Sequence, residues 1–130
     1  MNNKTTYWLE LCDDDLISAK ALLNSKRWLH MGFFCHMVVE KSLKAVIAEK
    51  TKEIPPKIHD LPKLADLGAI WAVLSKEQKE LFKKLIPLQI EARYPEYKER
   101  IASTLTQEYC NQLLTETEEF LCWIKQQLEK

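Results

Sequence analysis

The sequence predicts an all-α fold, an antiparallel bundle of four to five helices, and three observations lead to this prediction. The chain of 130 residues contains only two glycines, which is few for a fold built from tight β-hairpins. Apolar residues recur along it at the three- and four-residue spacing of helix faces. The connections between these segments are short, as they are between antiparallel neighbours in a bundle. At this length we expect a single domain, residues 1–130.

The first three helices are predicted from apolar spacing and from the residues that interrupt it. An amphipathic helix spans about residues 5–24, and a second, much more apolar helix spans about residues 27–50. On the first helix Trp8 belongs to the apolar face and is interpreted as core packing, whereas Asp13, Asp14 and Asp15 are expected mostly to point elsewhere. The pair Pro55-Pro56 cannot continue a helix and marks a loop. A shorter helix follows over about residues 60–72.

Two capping-box spacings mark the remaining helices. Ser75 followed by Gln78 opens a helix that continues to about residue 90, and Pro87 is expected to kink or divide it. Thr104 followed by Gln107 opens a long last helix. Aromatic and leucine residues on these two helices are interpreted as core packing.

Charge and cysteine content exclude several classes of protein. The chain has 19 basic and 19 acidic residues, so no overall basic surface indicates nucleic-acid binding, and a nucleic-acid site would need a local basic patch. The cysteines Cys12, Cys35, Cys110 and Cys122 lack a C-x-x-C pair, which predicts buried, reduced thiols. Zinc held by Cys110 and Cys122 is a remote alternative, and we expect no metal or cofactor.

With no signal region and no membrane-length apolar run, we expect a soluble, cytoplasmic protein without membrane contact.

The second helix carries ionisable residues on an otherwise apolar surface. Phe33–Ala48 is apolar around most of its circumference, yet it contains Glu40, Lys41 and Lys44. Burying such groups is costly unless they are paired or reach a cleft or an interface. His36, Glu40 and Lys44 are four residues apart and share one face. They line a ligand cleft, or else Glu40 and Lys44 form a structural ion pair while the histidine packs.

Two other segments supply candidates for the far side of such a cleft. In I-H-D-L, Asp60 is predicted to cap a helix, whereas the role of His59 is left open. In E-A-R-Y-P, Arg93 either holds a phosphate or anchors the carboxylate of Glu40 or Glu91. Tyr94 would pack its ring and form a hydrogen bond through its hydroxyl group.

Three motifs, in this order, resemble the HEPN family. They are F-x-C-H-x-x-V-E-K-S-L-K-A, I-H-D-L and E-A-R-Y-P, and the likeness extends from Tyr7 through the last helix. HEPN proteins are small prokaryotic helical bundles that are often encoded beside a minimal nucleotidyltransferase. The resemblance implies a homodimer and a role in nucleotide or RNA biology, commonly in toxin–antitoxin or defence systems. A homodimer is also expected because the second helix has more apolar surface than a small bundle can cover within one chain.

The chain departs from HEPN ribonucleases at one motif. Those enzymes carry an arginine followed, after four to six residues, by a histidine, so that an imidazole and a guanidinium converge on a phosphodiester. The three arginines here are Arg27, Arg93 and Arg100, and none has a histidine at that spacing. We therefore assign no catalytic residue, and the enzyme interpretation is left open but disfavoured.

Three functional hypotheses follow. The preferred one is a dimeric HEPN interaction module that acts with a separately encoded nucleotidyltransferase. The second is a nucleotide- or RNA-binding module, and the third is a divergent, metal-independent ribonuclease that uses His59 with Arg93. The candidate ligand-binding residues are His36, Glu40, Lys41, Lys44, His59, Arg93 and Tyr94.

Overall fold

The structure, a computed structural model, is all-α. It describes residues 1–89 and 95–130, and the side chains of residues 95–97 are outside the description. The described residues form six α-helices and no strand, which confirms the predicted class with one helix more than expected. The helices are α1 (Asn3–Asn24), α2 (Trp28–Thr51), α3 (Leu61–Leu67), α4 (Lys76–Gln89), α5 (Pro95–Ala102) and α6 (Gln107–Leu128).

Helix α2 is the centre of the bundle. Helices α1, α3, α4 and α6 all pack against it, and 14 of its 24 residues are buried. At Gly32 a Cβ atom would lie 2.7 Å from Leu88 Cδ1, so the glycine permits the close approach of α4. The apolar circumference of α2 is thus covered within one chain. The apolar surface of α2 is therefore no longer an argument for a dimer.

The helix caps explain where α4 and α6 begin. The Ser75 hydroxyl accepts the Gln78 N–H at 3.0 Å, and the Gln78 side chain accepts the Ser75 N–H at 2.8 Å, which is the predicted capping box. The predicted cap of α6 at Thr104 is wrong. Thr106 caps this helix by accepting the Tyr109 N–H at 3.1 Å, whereas the Thr104 hydroxyl donates to a carbonyl of α5.

Two boundaries differ from the prediction at residues with special backbone properties, the end of α3 and the start of α5. Helix α3 ends at Leu67 rather than near residue 72, because the chain turns through Ala69 at φ 57° and continues as a single 3₁₀ turn. Pro87 lies inside α4 without dividing it. Pro95, interpreted as a breaker, is the first residue of α5. A proline is tolerated at that position because its missing N–H would have no partner inside the helix.

Burial refines the predicted state of the cysteines. Cys12, Cys35 and Cys110 are buried, as expected, but Cys122 is exposed. Its position on α6 places it outside the apolar stripe of that helix, so the prediction was wrong for this residue. Among the helices that the structure describes, none combines the length and apolarity needed to cross a membrane.

Candidate functional site

Glu40 is a buried carboxylate near the middle of α2. Only 1% of its surface is exposed. Lys44, one turn further along the helix, places its Nζ 3.0 Å from Glu40 Oε2, and only 6% of that lysine is exposed. The predicted i,i+4 ion pair therefore forms, and it forms in the protein interior. A buried pair of this kind is costly to break, because either partner alone would be an uncompensated charge.

His59 reaches the same carboxylate from the loop that precedes α3. Its Nδ1 lies 3.1 Å from both Glu40 oxygens, while 52% of its side chain is exposed. Because a carboxylate accepts hydrogen bonds, the Nδ1 atom of His59 carries a hydrogen and donates a hydrogen bond to Glu40. In the neutral imidazole the lone pair then belongs to Nε2. The next residue, Asp60, caps α3 as predicted by accepting the Lys63 N–H at 3.1 Å.

His36 lies on the buried side of this carboxylate. Its Nδ1 is 3.6 Å from Glu40 Oε1, which is too long for a hydrogen bond, and it has no hydrogen-bond partner among the residues that the structure describes. Burial lowers the pKa of His36 to about 4, although the nearby Glu40 charge acts in the opposite direction. His36 is therefore neutral at physiological pH and adds no positive charge to the site.

The two lysines of α2 are engaged within the bundle. Lys44 Nζ also lies 5.5 Å from the centre of the Trp8 ring, at a distance where a cation–π interaction is favourable. Lys41 Nζ lies 2.7 Å from Asp15 Oδ2, and both side chains are largely covered. Each ammonium group thus has an anionic partner from α1 or α2.

The charges of the cluster cancel. We define the Glu40 cluster as His36, Glu40, Lys44 and His59, with the Lys41–Asp15 pair beside it. The two lysines balance the two carboxylates, and His36 is neutral. The lysines of the cluster are therefore already balanced by carboxylates, whereas a site that binds phosphate needs uncompensated positive charge.

The structure brings together four of the seven predicted site residues around one carboxylate. Lys41 is close to them but faces Asp15 instead. Arg93 and Tyr94 lie outside the described residues, so their predicted roles as phosphate clamp or carboxylate anchor stay predictions.

Two contributors to the site were missed in the sequence. Trp8 was interpreted as core packing, and Asp15 was expected to point away from the bundle. A signal for Asp15 was present, because Trp8, Cys12, Asp15 and Ala19 follow one helical face that turns towards α2. No signal marked the cation–π contact, which depends on how α1 docks.

The described part of the chain contains no group of side chains suited to bind a metal ion. In residues 1–89 and 95–130 no three His, Cys, Asp or Glu side chains are grouped so that they could hold a metal ion. The contacts of the Glu40 cluster support hydrogen bonding, and proton transfer at the half-exposed ring of His59.

The fold defines the class of protein, a small all-α helical bundle, and a comparison with protein families agrees with it. A family model described as the HEPN domain matches residues 5–127. The chain belongs to the HEPN family.

One solved structure matches the chain over nearly its whole length. This is the crystal structure of ST0689, an archaeal HEPN homologue, with a TM-score of 0.66 at 14% sequence identity. The match covers 98% of this chain and 99% of that chain. At this identity the likeness shows the fold alone. The search of curated proteins gave no match.

Proposed function

We propose that this HEPN protein is a homodimeric interaction module that acts with a separately encoded nucleotidyltransferase, in a toxin–antitoxin or defence system, and does not itself cleave RNA. The observation that carries the proposal is the absence, at all three arginines, of a histidine at the spacing of HEPN ribonucleases. A chain that keeps the HEPN fold over residues 5–127 without that pair retains the scaffold but not the known machinery.

The Glu40 cluster supports a structural role for the residues that would otherwise form an anion pocket. Lys44 is paired with Glu40, Lys41 is paired with Asp15, and His36 is neutral. A nucleotide or RNA phosphate would have to displace one of these carboxylates to gain a lysine. This favours the interaction module over nucleotide or RNA binding at this site.

The support for a homodimer comes from membership of the family alone, since the apolar surface of α2 is covered within the chain. Size-exclusion chromatography with light scattering at micromolar concentration should give twice the chain mass of 15.3 kDa. A monomer across the concentration range would contradict the dimer.

Co-expression tests the partnership directly. The nucleotidyltransferase encoded next to this chain is produced with it, and the mixture is separated with light-scattering detection. We expect one peak that contains both chains, with a mass equal to a whole number of copies of each. Separate elution at micromolar concentration, or the lack of any nucleotidyltransferase among the neighbouring genes, would contradict the proposal.

The divergent ribonuclease is kept as a second candidate because of one feature of His59. Glu40 accepts a hydrogen bond from the Nδ1–H of His59, which leaves Nε2 of this half-exposed ring to accept a proton. A carboxylate that orients an imidazole in this way is the arrangement found in general base catalysis. An RNA cleavage assay that compares the wild type with His59→Ala separates the two candidates.

A further inference from the structure

A groove with an aromatic floor lies between α4 and α6, on residues that do not belong to the Glu40 cluster. Its volume is about 680 Å³. Phe120 and Trp123 stack in its floor, with ring centres 5.9 Å apart and planes 19° apart, beside Leu81. Phe120 is buried, whereas Trp123 is partly exposed. A partly exposed tryptophan in a concave surface is typical of a residue that anchors a partner.

One end of the groove is closed by interactions within the chain. Lys84 Nζ lies 3.2 Å from Glu116 Oε1, which joins α4 to α6 across the groove. Gln112 Nε2 donates to Glu116 Oε2 at 3.0 Å. The polar groups at this end already have partners, so a ligand gains little there.

The other end carries carboxylates without partners. Glu77 on α4 and Glu119 on α6 are exposed, and neither forms a hydrogen bond or ion pair with another residue that the structure describes. Over the whole groove four glutamates face two lysines, so its lining has a formal charge of −2 in a chain whose net charge is zero. The lining acids are Glu77, Glu80, Glu116 and Glu119, and the cations are Lys76 and Lys84.

We propose that this groove, the α4–α6 groove, is a docking site for a basic amphipathic helical segment of another protein. The apolar side of such a segment would cover Leu81 and Trp123, while its lysines or arginines would face Glu77 and Glu119. On this side the lining extends from Ser75, the cap of α4, to Lys84, which gives the groove a length of about 15 Å, or two to three turns of the docked helix. A basic side chain that lies over Trp123 would gain a cation–π interaction as well.

The partner is defined by charge and amphipathicity alone, so this inference goes beyond the proposed function. The inference applies to any protein that presents such a segment, and its test needs no nucleotidyltransferase.

The test uses two synthetic peptides and fluorescence anisotropy. The first is a labelled peptide of about 14 residues, with leucine and alanine on one helical face and lysine on the other. The second has glutamate in place of every lysine. We expect the basic peptide to bind in the micromolar range and about tenfold more tightly than the acidic one, and its binding to weaken with added salt. Equal binding of both peptides, or none with the basic one, overturns the proposal.

Two matched double variants locate the site. Glu77→Gln with Glu119→Gln removes two rim charges and should weaken binding of the basic peptide about fivefold. Glu10→Gln with Glu53→Gln removes two exposed charges elsewhere and should change it less than about twofold. Equal weakening by both pairs would show a non-specific attraction and overturn the assignment.

Tryptophan emission gives a second readout at the floor. The wild-type spectrum should shift to shorter wavelength when the basic peptide covers Trp123. Trp123→Phe keeps an aromatic ring against Phe120, so the fold is preserved, but this shift should be lost. A shift of unchanged size in Trp123→Phe would show that the peptide binds elsewhere.

Discussion

Replacing Glu40 by glutamine removes the charge on which the buried cluster depends. The Glu40 and Lys44 side chains are 2% and 8% exposed, so the variant leaves the Lys44 ammonium group nearly buried without an anion. Stranding one member of a buried pair costs about 3–5 kcal/mol. The Trp8 ring offsets part of this cost through its cation–π contact with Lys44.

We therefore expect Glu40→Gln to lower the free energy of unfolding by about 3 kcal/mol. For a chain of this length that corresponds to a decrease in Tm of about 10 °C. Urea denaturation and thermal unfolding measure the two quantities. The control is Glu80→Gln, which breaks the exposed Lys83–Glu80 pair and should cost less than about 0.5 kcal/mol. A loss below about 1 kcal/mol in Glu40→Gln would refute the burial of this charge.

A double variant tests whether the cost comes from the stranded charge. Glu40→Leu with Lys44→Met replaces both charges by apolar groups of similar size. Such replacements are often neutral or stabilising, so we expect stability within about 1 kcal/mol of the wild type. A double variant as unstable as Glu40→Gln would contradict this explanation and indicate that the pair itself stabilises the fold.

Three further predictions concern stability. Because burial lowers the pKa of His36 to about 4, the unfolded state takes up the proton first as the pH falls from about 6.5. The wild type should thus be most stable above about pH 7 and lose about 3 kcal/mol towards pH 4. In urea titrations at several pH values His36→Leu should show a smaller loss. Asp60→Ala removes the cap of α3 and should cost about 1 kcal/mol by urea denaturation, whereas Asp66→Ala, exposed on the same helix, should cost less. Ala69→Gly relieves a positive φ and should raise the free energy of unfolding by about 1 kcal/mol. Ala72→Gly in the 3₁₀ turn should lower it, and the opposite order would contradict the assignment of φ.

Helix periodicity predicted most of the fold, and the errors lie where one residue type serves two purposes. Proline ends one helix and starts another equally well, so Pro95 could be interpreted as a breaker although it opens α5. The segment Thr104-Leu105-Thr106 offers two hydroxyls as caps, and a capping-box spacing selected the wrong one. Such choices depend on tertiary packing, which local spacing does not contain.

The candidate site was predictable only along one helix. The Glu40–Lys44 pair follows from a four-residue spacing and therefore could be predicted. The contact of His59 with Glu40 joins residues 19 positions apart and depends on how the loop before α3 docks on α2. For the same reason the apolar surface of α2 suggested an interface, whereas α1, α3, α4 and α6 cover it.

An RNA cleavage assay tests the central claim most directly. Purified wild type and His59→Ala are incubated with labelled single-stranded and structured RNAs without added metal. Because His59 is half-exposed, its replacement should leave the fold intact, and circular dichroism checks this. The account predicts no cleavage by the wild type above that of His59→Ala. Robust cleavage by the wild type that is lost in His59→Ala would contradict the account and establish the divergent ribonuclease.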